Sequence, residues 1–346
     1  MKKRIISLAA AAVFVIGTLA GCGNSSTQTT DKTASSDASS SGGDLVTVRD
    51  AVMTGQLDQY ATEIGLWQGI FEKYGIDLQT TEFVAGINTI DAVVNGTADI
   101  GMMADYAAVN RLGNTLDATN LQIFSQISGG QSALSGGLYV DPKYADDPKS
   151  LDGSAGFMYQ EGTVTYYYAS KCIEYLGLDE SKQNLINTDS SQTRLALIQK
   201  GGASAVYANG SEAKYIEEAG WVQVATSQEI GIQTGSYFLS TDKYISENTD
   251  TLAKFLQAVD ESTQYINDHL DESAEYLADK LGLKAEDFKE NWKNYSFEPG
   301  FSEEATTHLE DIEKWGFEHG SFPKDYNVRD FINTDVAKIA FPDNVT

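Results

Sequence analysis

Apolar and polar positions between residues 45 and 240 fall into short alternating blocks. Leu45-Val-Thr-Val-Arg49 and Ile76-Asp-Leu-Gln-Thr80 repeat with a period of two, as half-buried strands do. Between them, Tyr60 to Tyr74 places Ile64, Trp67, Ile70 and Phe71 on one helical stripe, and Gly75 follows where a helix-ending glycine belongs. The pattern then predicts a helix at 87–95, a strand at 98–103, a helix at 105–112 and a strand at 121–127. A second set follows, with strands at 156–159, 184–187, 205–208 and 222–225. Its helices fall at 164–176, 191–200 and 212–219. After Tyr237-Phe-Leu239 the rhythm changes. From Asn248 to Phe317 it is helical, with interruptions near Asp271, Gly282 and Pro299-Gly300. Alternating strands and helices predict an α/β fold with mostly parallel sheets covered on both faces. About 300 residues are large for one core, so two such sets predict two lobes, with the chain crossing between them more than once.

The first 44 residues follow other rules. Met1-Lys2-Lys3-Arg4 precedes a mostly apolar run from Ile5 to Ala20, too short for a comfortable membrane span and suited to a secretory leader. Leu19-Ala20-Gly21-Cys22 resembles a bacterial lipobox. That resemblance implies removal of residues 1–21 and acylation of Cys22, which would hold the protein to the outer face of the cell membrane. Residues 23–43 are rich in Ser, Thr, Asp and Gly and cannot bury a core. With Cys22 and Asp44 they read as a flexible tether, residues 22–44, with a reach of roughly 25 Å.

Charge narrows the partners. The chain has 24 basic and 50 acidic residues, a formal charge of −26, and loss of Lys2, Lys3 and Arg4 with the leader would take it to −29. Such a surface repels nucleic acid and anionic headgroups, so no nucleic-acid partner is expected. Cys172 lies in a helical pattern and reads as a small buried hydrophobe; with Cys22 acylated no internal disulfide forms. The chain lacks G-x-S-x-G, H-E-x-x-H, C-x-x-C, P-loop and G-x-G-x-x-G signatures. His269, His308 and His319 fall in the helical C-terminal region, away from the loops considered below. These features predict a monomer that is not an enzyme and uses no metal or cofactor.

Three stretches carry a family resemblance: Ile64-Gly-Leu-Trp-Gln-Gly-Ile-Phe-Glu-Lys-Tyr-Gly-Ile-Asp-Leu78; Gly86-Ile-Asn-Thr-Ile-Asp-Ala-Val-Val-Asn-Gly-Thr-Ala-Asp-Ile-Gly101; and Ser150-Leu-Asp-Gly153, followed by Glu161-Gly-Thr163 and Tyr175-Leu-Gly-Leu178. In this order the chain resembles the nitrate/sulfonate/taurine-type solute-binding proteins of ABC importers, a group that includes pyrimidine-precursor binders. The resemblance implies a type II periplasmic-binding fold. Lobe 1 would take residues 45–133 and 235–346, and lobe 2 residues 134–234. The hinge would lie near Ser132–Leu134 and Thr234–Tyr237. A permease would be the protein partner, although a membrane sensor could receive the same two-lobed body.

Carried onto this sequence, the pattern places ligand contacts at strand ends that precede helices, where backbone N–H groups are free. In lobe 1 these are Gln56, Asp58 and Tyr60; Gly86 and Asn88; and Met103, Asp105 and Tyr106. In lobe 2 they are Glu161 and Thr163; Asp189 and Ser190; and Tyr207, Asn209 and Glu212. Asp58, Asp105, Ser190 and Ser211 also suit helix N-caps, worth about 1 kcal/mol each. Trp67, mid-helix on the apolar stripe, reads as core. Sulfonate and nitrate binders need hydrogen-bond donors, whereas these loops carry five carboxylates and only Arg194, one turn into its helix. The expected ligand is therefore an amine-bearing or nitrogen-heteroaromatic molecule, with an aliphatic sulfonate held at helix N-termini as the alternative.

Overall fold

The computed structural model describes residues 45–346 apart from 117–119, 130–135, 152, 154, 155, 162 and 294. The leader, Cys22, the tether and the first proposed hinge segment lie outside the described residues. Two five-stranded sheets organise the rest. The first contains β1 (Val46–Met53), β2 (Ile76–Phe83), β3 (Ile100–Ala104), β4 (Leu121–Ser128) and β10 (Ser236–Thr241), in the order β2-β1-β3-β10-β4. The second contains β5 (Gly136–Val140), β6 (Gly156–Tyr159), β7 (Asn184–Asn187), β8 (Ala205–Asn209) and β9 (Val222–Thr226), in the order β7-β6-β8-β5-β9.

The two orders are the same pattern used twice. In each sheet the strand that runs against its neighbours is the first one after the chain has left the other sheet: β10 lies antiparallel to β3 and β4, and β5 antiparallel to β8 and β9. The remaining neighbours are parallel. The hydrophobic pattern did not mark β5 or β10 as strands. Tyr237, Phe238, Leu239 and Ser240 of β10 are all fully buried, so no in-and-out alternation exists to betray the strand.

Helices cover both sheets. Between β1 and β2 the expected single helix is two, α1 (Leu57–Trp67) and α2 (Ile70–Lys73), parted at Gly69, whose φ of +67° suits only glycine well. Trp67 is therefore not core. It is 38% exposed and stacks on Tyr276 at 4.2 Å. The other helices preceding the C-terminal region are α3 (Gly86–Val94), α4 (Asp105–Thr115), α5 (Val164–Tyr175), α6 (Ser191–Gln199), α7 (Gly210–Glu218) and α8 (Ser227–Ile230). That region forms α9 (Asp242–Asp268), α10 (Leu270–Leu281), α11 (Ala285–Trp292), α12 (Glu303–Glu318) and α13 (Asp335–Ala340).

One core lies between sheet 1, α1 and α9, around Val48, Ile64, Phe71, Phe238, Phe255 and Leu256. A second runs from α4 and α12 across to α5 and β8, through Tyr106, Trp315, Tyr167, Tyr168 and Tyr207. Cys172 is wholly buried there, which pushes its thiol pKa up and keeps it unreactive.

Candidate functional site

The topology turns the C-terminal ends of β1, β3 and β4 and the start of β10 to one edge of sheet 1. Ala104 pairs with Ser236, and Ser236 pairs with Ser128. A cavity of about 310 Å³ opens there, lined by Met53, Gln56, Met102, Ala104, Ser128, Thr234, Gly235, Ser236, Asn291 and Tyr295. Its wall holds thioether, hydroxyl, amide and phenol groups and no ionised side chain. Ser128 and Ser236 hydrogen-bond each other at 2.8 Å. Tyr295 donates to the Gly55 carbonyl at 3.0 Å and packs edge-on against Tyr60, 6.1 Å between ring centres. Tyr60 also meets Phe288 and Trp292 edge-on, so α11 and the residues after it close this side of the site with an aromatic wall.

At the matching edge of sheet 2, a shallower recess is lined by Gln160, Glu161, Asn187, Thr188, Asp189 and Thr193. Asn187 holds Glu161 through its side-chain amide at 3.1 Å. Ser190 and Thr193 donate hydroxyl hydrogen bonds to Asp189, which hold its carboxyl below the usual range, so it is ionised at neutral pH.

The sites expected from sequence divide into those that reach a cavity wall and those the fold uses elsewhere. Gln56 lines the first cavity, and Glu161 and Asp189 line the recess. Tyr60 stands behind Tyr295. Thr163 and Ser190 are N-caps, of α5 and α6. Asn88 is exposed at the start of α3, and Gly86 lies close over Met102 and Met103. Asn209 is exposed at the start of α7.

The others are turned inward in this structure. Met103 is wholly buried, because strand alternation gives its neighbours Met102 and Ala104 to the cavity. Tyr106 is buried against Trp315, its hydroxyl 3.3 Å from Ser321 Oγ. Tyr207 packs on Tyr168 at 4.5 Å and shares a hydrogen bond with Ser227; burial pushes its phenol up to about 12. Glu212 accepts a two-pronged bond from buried Arg194, at 2.6 and 3.1 Å.

Two aspartates are the most deeply committed. Asp58 is fully buried with one oxygen on the Met53 N–H at 3.1 Å, and burial pushes its carboxyl up to about 7. Asp105 is 1% exposed. It accepts from the amides of Gly235 and Tyr106 at 2.8 and 2.6 Å, and His308 Nε2 lies 2.7 Å from it. Its own amide donates to the Gly235 carbonyl at 2.8 Å. This corrects the placement of His308: α12 folds it back, across 203 residues of sequence, onto the Asp105 loop. His319 also returns, stacking on Trp315 at 4.2 Å and lying 3.5 Å from Glu180, while His269 is on the surface.

A family model described as NMT1/THI5 like matches residues 64–273. The chain belongs to the NMT1/THI5-like family. Its fold is that of periplasmic binding proteins. The periplasmic aliphatic sulphonate binding protein SsuA from Escherichia coli superposes with a TM-score of 0.70 at 16% identity, over 85% of this chain and 99% of that one. The periplasmic nitrate-binding protein NrtA from Synechocystis gives 0.59 at 15%, over 86% and 88%. The desulfurization enzyme DSZB gives 0.60 at 12%, over 85% and 98%, so the same fold also carries catalysis. No curated protein matches the chain.

For this NMT1/THI5-like chain, sequence reasoning missed Met53, Ser128, Ser236, Asn291 and Tyr295 on the cavity wall, and on the β3 loop it chose Met103 where the structure turns Met102 and Ala104 to the cavity. Met53 ends β1 just before a loop that was marked, whereas Ser128 and Ser236 sit on β4 and β10, whose ends were not marked as binding loops. Asn291 and Tyr295 come from the C-terminal helices, and nothing local announces that these return to the mouth of sheet 1. Among the described residues no cluster of His, Cys, Asp or Glu could hold a metal ion, and no helix is long and apolar enough to cross a membrane.

Proposed function

We propose that this protein is the extracytoplasmic solute receptor of an ABC importer, tethered through acylated Cys22, and that it closes its two lobes over a small nitrogen-bearing organic molecule without net negative charge. One observation carries the ligand class. The wall of the lobe 1 cavity is uncharged, with a tyrosine and two methionines beside hydroxyl and amide groups, while the lobe 2 recess offers the carboxylates of Glu161 and Asp189. An aromatic or aliphatic body suits the first, and N–H donors or a cationic centre suit the second. A sulfonate or nitrate between these walls would face Asp189 with no lysine or arginine on either lining to compensate. Of the five acidic loop residues, Asp58, Asp105 and Glu212 are engaged within the fold, and Glu161 and Asp189 are the two that line the recess.

A binding role rather than catalysis is favoured by the likeness to SsuA and NrtA, both described as binding proteins. Thermal unfolding of the purified protein against separate panels of amines, nitrogen heterocycles, alkanesulfonates and nitrate tests the ligand class. A solute at about 100 times its Kd adds roughly 2.7 kcal/mol of stability, a rise of several degrees. A rise confined to sulfonates or nitrate would reverse the proposal. Metabolic labelling with a fatty acid, lost in Cys22→Ser, tests the anchor.

A further inference from the structure

Beneath the cavity, two carboxylates that play no part in the reading above share the core of sheet 1. Asp50, on β1, is 1% exposed and both of its oxygens lack a hydrogen-bond partner. Asp58, on α1, is fully buried. One oxygen has no close partner and the other accepts the backbone N–H of Met53 at 3.1 Å; the amides at the start of α1 offset burial only in part. A buried carboxyl without donors is stable only when it keeps its proton. Burial holds both groups above the usual carboxylate range, and the charge of Asp58 raises Asp50 further.

The surroundings supply no counter-charge. In the sheet, Asp50 lies beside Thr80 of β2 and Ile100 of β3. The residues that α9 buries are Ile245, Leu252, Phe255, Leu256, Val259, Ser262 and others without an ionisable group. On α1, Glu63 is 3.5 Å from Lys280 of α10, and Arg49 of β1 is bound to Asp99. The remaining titratable neighbours are Tyr60 and Tyr295, whose phenols are pushed up mainly by burial and further by the Asp58 charge.

This pair is wired to the cavity wall. Asp58 holds Met53, and Gln59 holds the Gly55 N–H at 2.7 Å. Gln56 donates to the Met53 carbonyl, and Tyr295 ties down the Gly55 carbonyl. Met53, Gln56 and Tyr295 all line the cavity. We propose that Asp50 and Asp58 form a proton-operated latch on the solute cavity: the protonated pair holds the turn from Met53 to Gln56 in place, and loss of its protons releases it. An ionised Asp58 is driven toward water, and the backbone group it holds belongs to a cavity-lining residue. The turn therefore moves with it. Solute capture becomes stronger in acid and weaker in alkali. That consequence rests on the proposed solute site, but the latch itself can be read without any solute.

The test is methyl NMR of the full chain labelled at methionine, followed from about pH 5 to pH 9, a range that brackets a raised carboxyl. Met53 reports the turn, and Met158, buried in lobe 2, is the internal control. The latch predicts that the Met53 methyl titrates within this range while Met158 stays still. Asp58→Asn should abolish that titration, and Asp50→Asn should keep it. A Met53 signal that does not move with pH in the unmodified chain overturns the proposal, as does a titration that survives unchanged in Asp58→Asn. Neither result bears on which solute binds.

Discussion

Replacing Asp105 by alanine separates two roles for the residue most prominent among the acidic loops. In the folded chain its carboxyl collects the amides of Gly235 and Tyr106 and the ring N–H of His308, all within 2.8 Å, at 1% exposure. Alanine leaves all three donors buried without a partner. An orphaned buried donor costs about 1–3 kcal/mol, and removing one member of a buried polar pair costs about 3–5 kcal/mol. The site can relax somewhat, because the Asp105 N–H to Gly235 carbonyl bond survives. The expected loss is about 3–5 kcal/mol. Asparagine keeps one acceptor for one amide but turns an NH2 toward another donor, so it should lose about 2 kcal/mol. Urea unfolding of the solute-free protein measures both. If Asp105→Ala unfolds within about 1 kcal/mol of the unmodified chain, the knot contributes little and Asp105 returns as a ligand group, which a solute-free protein would not miss.

Other outcomes follow from the same geometry. Asp58 titrates at about 7 in the folded chain against 3.8 when exposed. The unfolded chain gives up this proton first, so stability should fall by about 4 kcal/mol as pH rises from about 4 to about 7 and then level off for this group. Asp58→Asn should flatten that slope in thermal unfolding across the same range. Arg194→Ala strands Glu212 and loosens Thr188 on the recess, with an expected loss of about 2–4 kcal/mol by urea unfolding. Gly113→Ala would place a methyl 2.5 Å from the Phe322 ring between α4 and the segment after α12, and should cost about 1–3 kcal/mol in thermal unfolding. Tyr295→Ala should cost about 1–3 kcal/mol in urea unfolding, because it removes the ring contacts with Tyr60 and Trp292 and the hydrogen bond to Gly55. It should weaken binding of any solute that raises the melting temperature about tenfold or more in calorimetry.

What the sequence disclosed depended on whether the signal was local. The strands at 156–159 and 184–187 carry their pattern in their own residues and fall where expected. α5 and α6 likewise begin at Val164 and Ser191, each behind its own hydroxyl cap. β5 and β10 gave no such signal. One opens on paired glycines and the other is buried on both faces, and their places in the sheets are set by the chain crossing between them. The same distinction holds at the site. The positions of the strand-end loops were legible, but the direction of each side chain was not. Met102 and Met103 look alike in sequence, and only the register against Phe238 and Tyr237 sends one to the cavity and the other to the core. His308 and Tyr295 reach their partners across 203 and 240 residues, beyond any local pattern.

The proposed receptor works by two lobes that shut over a solute of the proposed class. Small-angle X-ray scattering with and without the solute that most raises the melting temperature tests this most directly. The prediction is a fall in the radius of gyration with an amine or nitrogen heterocycle, and none with an alkanesulfonate or nitrate at the same concentration. An unchanged radius with a bound solute, or closure produced by the anions alone, would contradict it.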